Sequence, residues 1–285
     1  MTSSDYRKAA LVIAGHGSTR NPDSSLPTLQ HAGAIRRRGI FSEVACCFWK
    51  ENPPYREVLR LVGSRDVFVV PNFISEGHFT RTIIPREMEL EGPVTRRAGR
   101  TIRYCEPAGS HARMTDLLLQ KARAVSPDAP TAETSLLLVG HGTSLHGNSA
   151  AAVKLQVRRI AETGLYAEVL AAYLEEPPLI GEWDTFASQP NVVVVPFFIA
   201  DGLHSRQDIP LLLGMAEEPG ASRPDVFQHN PCHLRGRRLY YGNAIGTDPG
   251  FADIILDQVV AFPAPPESGH LPEPRTREPG LFTSR

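Results

Sequence analysis

The phrase Leu136-Leu137-Leu138-Val139-Gly140-His141-Gly142-Thr143-Ser144 has an earlier counterpart, Leu11-Val12-Ile13-Ala14-Gly15-His16-Gly17-Ser18-Thr19. The separation, 141 − 16, is 125 residues. The register then holds: Val67-Phe68-Val69-Val70-Pro71-Asn72-Phe73-Ile74 returns as Val192-Val193-Val194-Val195-Pro196-Phe197-Phe198-Ile199, and Pro85 returns as Pro210. A shared tripeptide can arise by chance, whereas a shared register over this span marks a duplication. The chain is two copies of one unit, and its 285 residues suffice for two domains, each with its own core.

Each copy reads as strands alternating with helices. Strands are expected at 10–15, 42–49, 67–74 and 101–105, with helices near 25–38, after Pro54, at 81–90 and at 112–125. The second copy should run strand 135–140, helix 148–163, strand 167–173, helix 178–187, strand 192–199 and helix 206–216, closing with strand 223–228 and helix 250–261. The unbroken apolar runs suit strands covered on both faces. The expected fold class is therefore α/β: two tandem flavodoxin- or Rossmann-like domains, each a parallel sheet flanked by helices. The turn-rich stretch Ser126–Thr131 divides them into residues 1–130 and 131–262. The tail 263–285, rich in Pro, Glu, Gly and Arg, is expected to be disordered. Asn230–Arg238 reads as an insertion in the second copy.

In open α/β sheets, ligands bind beyond the carboxyl ends of the strands. Three places per copy meet that rule. After the first strand come His16 and His141, each between glycines that let the backbone turn and approach a ligand. A buried core histidine is the ordinary alternative, but two copies at one topological position weigh against it. After the third strand, Glu76-Gly77-His78-Phe79-Thr80-Arg81 faces Asp201-Gly202-Leu203-His204-Ser205-Arg206. His78 aligns with Leu203 and His204 with Phe79, while Thr80/Ser205 and Arg81/Arg206 keep register. The arginines are either solvated or clamps for an anionic ligand's carboxylates. After the second strand, Glu51 and Glu175 correspond when the proline pairs Pro53-Pro54 and Pro177-Pro178 are aligned. Imidazoles joined by a carboxylate suit a transition metal held in transit, and neutral imidazole is available near neutral pH. His229, Cys232 and His233 also carry metal-capable side chains, whereas His111 and His146 read as surface or capping groups.

Strand–Gly-His-Gly-Ser/Thr in each repeat, followed by Gly202-x-His204-x-x-x-Asp208-Ile209-Pro210, resembles the class II sirohydrochlorin chelatases, the CbiX/SirB group, in a two-repeat long form. The resemblance implies chelatase-like domains and a lyase-type enzyme without an organic cofactor. Such an enzyme inserts Co2+ or Fe2+, or Ni2+, into the tetrapyrrole sirohydrochlorin without ATP, on the way to cobalamin or sirohaem. Carried over residue by residue, His141 and His204 match the metal-binding histidines, and His16 matches the first histidine of the other repeat. His78 is a near match, shifted by one residue. The expected site is thus His141, His204, Glu175, His16 and His78 for metal and proton handling. Arg206, Arg81, Ser205, Thr80 and Gly142 are expected to contact the macrocycle. The second repeat, whose motif is intact, is favoured as the working cleft, with His16 and His78 contributing to a cleft shared between the domains.

A net charge of −1 argues against a nucleic-acid binder, and no segment reads as a signal peptide or membrane span. Four cysteines without a Cys-x-x-Cys pair suggest neither a disulfide scaffold nor a zinc or iron–sulfur centre, so a reducing cytoplasm is expected. There is no Walker A sequence, Gly-x-Gly-x-x-Gly or Gly-x-Ser-x-Gly elbow. Two rival readings stand. A metal or tetrapyrrole carrier would keep the fold without turnover. A histidine phosphatase would need an arginine directly before its His-Gly, where Gly15 and Gly140 stand. The duplication suits a monomer in place of a homodimer, with both states open.

Overall fold

A computed structural model describes residues 6–142, 148–216 and 225–263. The expectations for His146 and for the tail beyond residue 263 lie outside the described residues. Each repeat builds a five-stranded sheet. In the first, β1 (Ala9–Gly15), β2 (Glu43–Phe48), β3 (Asp66–Pro71), β4 (Val94–Arg97) and β5 (Arg100–Tyr104) lie in the order β2-β1-β3-β5-β4. In the second, β6 (Thr134–Gly140), β7 (Glu168–Tyr173), β8 (Asn191–Pro196), β9 (Cys232–Leu234) and β10 (Arg237–Tyr241) lie in the order β7-β6-β8-β10-β9. All pairings are parallel except those of the edge strands β4 and β9.

Those edge strands correct the sequence reading in two ways. Residues 225–228, expected as strand, form a turn instead. Asn230–Arg238 is not an insertion: it carries the β9–β10 hairpin, the counterpart of β4–β5. Both hairpins close through two residues at positive φ, Ala98-Gly99 and Arg235-Gly236, the signature of a two-residue turn matched to strand twist. The offset at these turns is 236 − 99, or 137, against 125 upstream. The 12 extra residues lie between Met215 and Cys232, because the bonds from Leu90 N to Pro85 O and from Met215 N to Pro210 O still keep the 125 spacing.

The helices are α1 (Leu26–Arg37), α2 (Tyr55–Leu61), α3 (Ile84–Glu87) and α4 (Met114–Val125) in the first repeat. The second has α5 (Asn148–Ala161), α6 (Trp183–Phe186), α7 (Ile209–Leu213) and α8 (Phe251–Val260). Alternation along the strands splits the core. Ala10, Val12 and Ala14 face α2 and α3 on one side, while Leu137 and Val139 face α6 and α7 in the second sheet. On the other side, Leu11 and Ile13, together with Leu136 and Leu138, join one continuous core filled by α1, α4, α5 and α8.

The last helices are exchanged. α4 of the first repeat packs on β8 and α5, and α8 of the second packs on β3 and α1. Thr115 Oγ1 donates to Gln156 Oε1 at 2.8 Å, and Gln258 Nε2 donates to the Pro107 carbonyl at 2.7 Å. No helix among the described residues is long and apolar enough to cross a membrane.

Candidate functional site

β1 and β6 sit between a neighbour on each side, so their carboxyl ends are the points where the strand order reverses. Each ends at Gly-His-Gly. Gly142 adopts φ 67°, and a Cβ there would come within 2.8 Å of Glu176 Cγ and Tyr173 Cβ. Only glycine fits, and the turn it makes swings His141 out of the sheet. Gly17, at φ 65°, turns His16 in the same way.

Across from these histidines, the chain after β3 and β8 winds through single π-helical turns, Phe79–Ile83 and His204–Asp208. Their wider loops are held by tyrosines from the neighbouring strands, Tyr104 half-buried and Tyr241 fully buried. Tyr104 Oη donates to the Thr80 carbonyl and Tyr241 Oη to the Ser205 carbonyl, each at 2.6 Å. Burial pushes both phenols well above their ordinary range, so both remain donors.

In the second repeat this geometry brings the rings of His141 and His204 to a centroid separation of 4.9 Å, near perpendicular. His141 Nδ1 lies 2.9 Å from the Gly142 carbonyl and 3.6 Å from Glu175 Oε2. His204 Nδ1 lies 2.6 Å from Asp208 Oδ2, one turn along. A carbonyl and a carboxylate only accept, so in the neutral rings Nδ1 carries the hydrogen and the lone pair is left on Nε2. The four side chains are 38–56% exposed, within reach of an incoming ion. Among the described residues no group of three or more His, Cys, Asp or Glu side chains is arranged to hold a metal ion. Two imidazoles with open positions suit a metal on its way elsewhere, whereas a structural site is closed by its protein ligands.

The first repeat departs at the same positions. Phe79 occupies the place of His204 and meets His16 edge-on at 4.7 Å. Ile83 stands where Asp208 does at the 125 offset. His78 is exposed, contacts Phe79 at a centroid separation of 6.4 Å, and is not part of the cleft lining. The correspondence of Glu51 with Glu175 is corrected. Phe48 N bonds Pro53 O and Tyr173 N bonds Pro178 O, so the 125 register persists through the proline turns. Glu51 therefore matches Glu176, each packed against the second glycine of its motif, and Glu175 matches Lys50.

His16 and His204 line a single cleft of about 630 Å3 between the repeats, a volume within the usual range for small-molecule sites. Its walls include Phe73, Phe198 and Ile199, with Leu203 exposed to 52%. His141 lines the adjoining hollow, which shares Phe73 and Phe198.

The other expected contacts lie elsewhere. Ser205 is fully buried and Thr80 nearly so, with Thr80 Oγ1 accepting from the Gly77 amide. Arg206 Nε donates to the Asp201 carbonyl, and its guanidinium lies over Phe227. Arg81 pairs with Glu76 and faces a separate hollow with Glu106, whose carboxyl is raised by burial and by the charge of Glu76. Cys232 and His233 are adjacent on β9 and so point to opposite faces, and the Cys232 thiol donates to the His229 carbonyl. His111 acts as a cap, accepting from the Arg113 amide at 3.3 Å. Sequence reasoning missed Asp208 as a partner of His204, although the i, i+4 spacing was visible.

The CbiX family model matches residues 10–125 and 135–261, one match per repeat. A probable sirohydrochlorin cobaltochelatase of Halobacterium salinarum is 38% identical over 274 residues, covering 90% of this chain and 92% of that protein. The sirohydrochlorin cobaltochelatase of Methanopyrus kandleri is 29% identical over 136 residues, 44% of this chain and 94% of its own length. Among solved structures, a multi-domain Deinococcus radiodurans protein with structural similarity to chelatases superposes with a TM-score of 0.74 at 31% identity. That match covers 88% of this chain and 54% of that protein. SirB of Bacillus subtilis with Fe3+ shares the fold at a TM-score of 0.66 and 17% identity, over 88% of this chain and 94% of its own. With a family match in both repeats and a full-length relative at this identity, the chain belongs to the CbiX family of sirohydrochlorin chelatases.

Proposed function

We propose that this chain inserts Co2+ into sirohydrochlorin without nucleotide hydrolysis, as a step towards cobalamin, using the second repeat's histidine pair. The observation that carries the reading is the His141–His204 pair, with each Nδ1 tied to an acceptor and each Nε2 left for a metal. The choice of cobalt rests on the name of the 38% identical relative, because imidazoles alone serve cobalt, iron and nickel alike.

The chemistry follows from the groups present. The hydrated ion exchanges water for the two imidazoles, which hold it weakly enough to release it. Phe73 and Phe198 offer apolar walls to the flat face of the macrocycle. Two pyrrole N–H protons must leave as the metal enters. Glu175, beside His141 and 56% exposed, accepts a proton and passes it to solvent. The protein contributes position and a partly dry cleft, with no covalent intermediate.

The test is the visible absorption of anaerobic sirohydrochlorin with Co2+ and catalytic amounts of protein, without ATP. Conversion over many turnovers per chain is the expected result. One metallated macrocycle per chain would establish a carrier instead. Faster turnover with Fe2+ or Ni2+ would overturn the assignment to cobalt.

A further inference from the structure

The two ends of the cleft carry opposite chemistry although they derive from one ancestral unit. At the second repeat's end stand Glu175 by His141 and Asp208 by His204. At the first repeat's end, Lys50 occupies the position of Glu175, and Phe79 and Ile83 replace His204 and Asp208. Lys50 and Arg20 both line the cleft, and neither forms an ion pair among the described residues. Lys50 is steadied by Trp49, with Nζ 5.6 Å from the ring centre. Glu51, the nearest carboxylate in sequence, is engaged by the Ser18 amide at 2.7 Å. Asp208, the carboxylate among the lining residues, is bonded to His204.

The floor has diverged as well. Thr28 and Asn72 are hydrogen-bonded at 2.8 Å where the second repeat places Val153 and Phe197. Asn72 lines the cleft, is 2% exposed, and its Oδ1 has no partner among the described residues. With the Thr28 hydroxyl donating instead of accepting, the same amide turned end for end presents a spare N–H donor. On the rim, Asn21 reaches towards Gly202 of the other repeat, its Nδ2 3.6 Å from where a Cβ would stand. An end with cations, amide and hydroxyl donors, and no second imidazole is built for an anion.

We propose that the first repeat's end of the cleft is a carboxylate-recognition subsite, with Lys50 and Arg20 gripping peripheral carboxylates of the macrocycle while the second repeat presents the metal. This rests on the reading of the substrate above and assigns the duplicated site a separate task. Lys50 and Arg20 take the role that the sequence suggested for Arg81 and Arg206.

The experiment measures binding of metal-free sirohydrochlorin to the full chain and to Lys50→Ala, Arg20→Ala and Lys50→Glu, at two salt concentrations. Co2+ affinity is measured alongside without the macrocycle. Each alanine variant should weaken macrocycle binding about threefold, as expected for a solvated charge pair, and Lys50→Glu about tenfold. The dependence on salt should shrink in all three, Co2+ affinity should be unchanged, and in turnover the loss should fall on KM. Unchanged macrocycle affinity in all three variants, with wild-type chain that binds and metallates, would overturn the subsite alone. Tighter Co2+ binding in Lys50→Ala would also overturn it, since loss of a repelling charge would place Lys50 at the metal end. Wild-type chain that fails to bind sirohydrochlorin would overturn the proposed function and this inference together.

Discussion

A histidine that must release its metal to a macrocycle needs one nitrogen fixed and the other free, and the second repeat supplies this twice. His204 depends on Asp208, and the bond between them keeps the hydrogen on Nδ1. Removing the outer partner of a metal-ligating histidine commonly weakens metal binding or activity about 10- to 100-fold. Asp208→Asn should therefore fall in that range in Co2+ affinity, while His141→Ala and His204→Ala abolish insertion. Because these side chains are substantially exposed, thermal melts of all three variants should stay within a few degrees of wild type, roughly the effect of 1 kcal/mol or less. Insertion at wild-type rates in both alanine variants would remove the histidine pair from the mechanism. His141 stood out in the sequence because the duplication repeats it as His16, whereas His204, replaced by Phe79 in the first repeat, stood out through its motif. Asp208 stood in the same motif at i, i+4, but its bond to His204 became legible only with the π turn that sets the two side chains together. The sequence reading paired Glu175 with Glu51, whereas by position it pairs with Lys50.

At the scale of elements, the two π turns show how one backbone presents two different side chains. Both are braced by a tyrosine, yet one presents His204 and the other Phe79 to the opposing histidine. The one-residue shift of His78 mattered because successive helical residues point in different directions, so His78 faces outward and Phe79 inward. If the first repeat lost its metal site through side chains alone, putting them back should restore it. The triple variant Phe79→His, Ile83→Asp, Lys50→Glu should raise Co2+ binding measured by calorimetry from about one ion per chain to about two, in the range expected for a rebuilt imidazole–carboxylate pair. A stoichiometry that stays at one would show that backbone differences also contribute. The same comparison explains the missed hairpins. Val94-Thr95-Arg96-Arg97 lacks the apolar alternation of a strand because it forms a sheet edge, partly open to solvent. Its real signal was the X-Gly turn, repeated at Ala98-Gly99 and Arg235-Gly236.

On the scale of the whole molecule, the sequence divides at the linker, but the packing crosses it. The α/β class and both mostly parallel sheets followed from the strand pattern, whereas the exchange of α4 and α8 depends on contacts between segments distant in sequence, 41 residues apart at Thr115–Gln156 and 151 at Gln258–Pro107, and left no local trace. One residue reports on that exchange. His31 of α1 is 3% exposed, stacks on Phe251 of α8 at 5.5 Å, and bonds the Gly246 carbonyl through Nε2 at 2.7 Å. Burial lowers its pKa below the ordinary 6.5, outweighing the opposing pull of the Gly246 carbonyl and Asp248. The folded chain then binds fewer protons here than the unfolded chain once the pH falls below about 6.5. Stability is complete above that pH and is lost progressively below it, down to the depressed value in the fold. His31→Gln keeps a donor for the Gly246 carbonyl but cannot titrate. Melting temperature followed from pH 7.5 to 5.5 should fall more steeply for wild type than for His31→Gln, because the remaining histidines are common to both. The variant should start lower at pH 7.5 by the equivalent of about 1–2 kcal/mol, since it loses the stacked ring and part of the packing. Parallel slopes would mean that His31 is protonated without cost within the fold, and that the seam between the repeats admits water at this point.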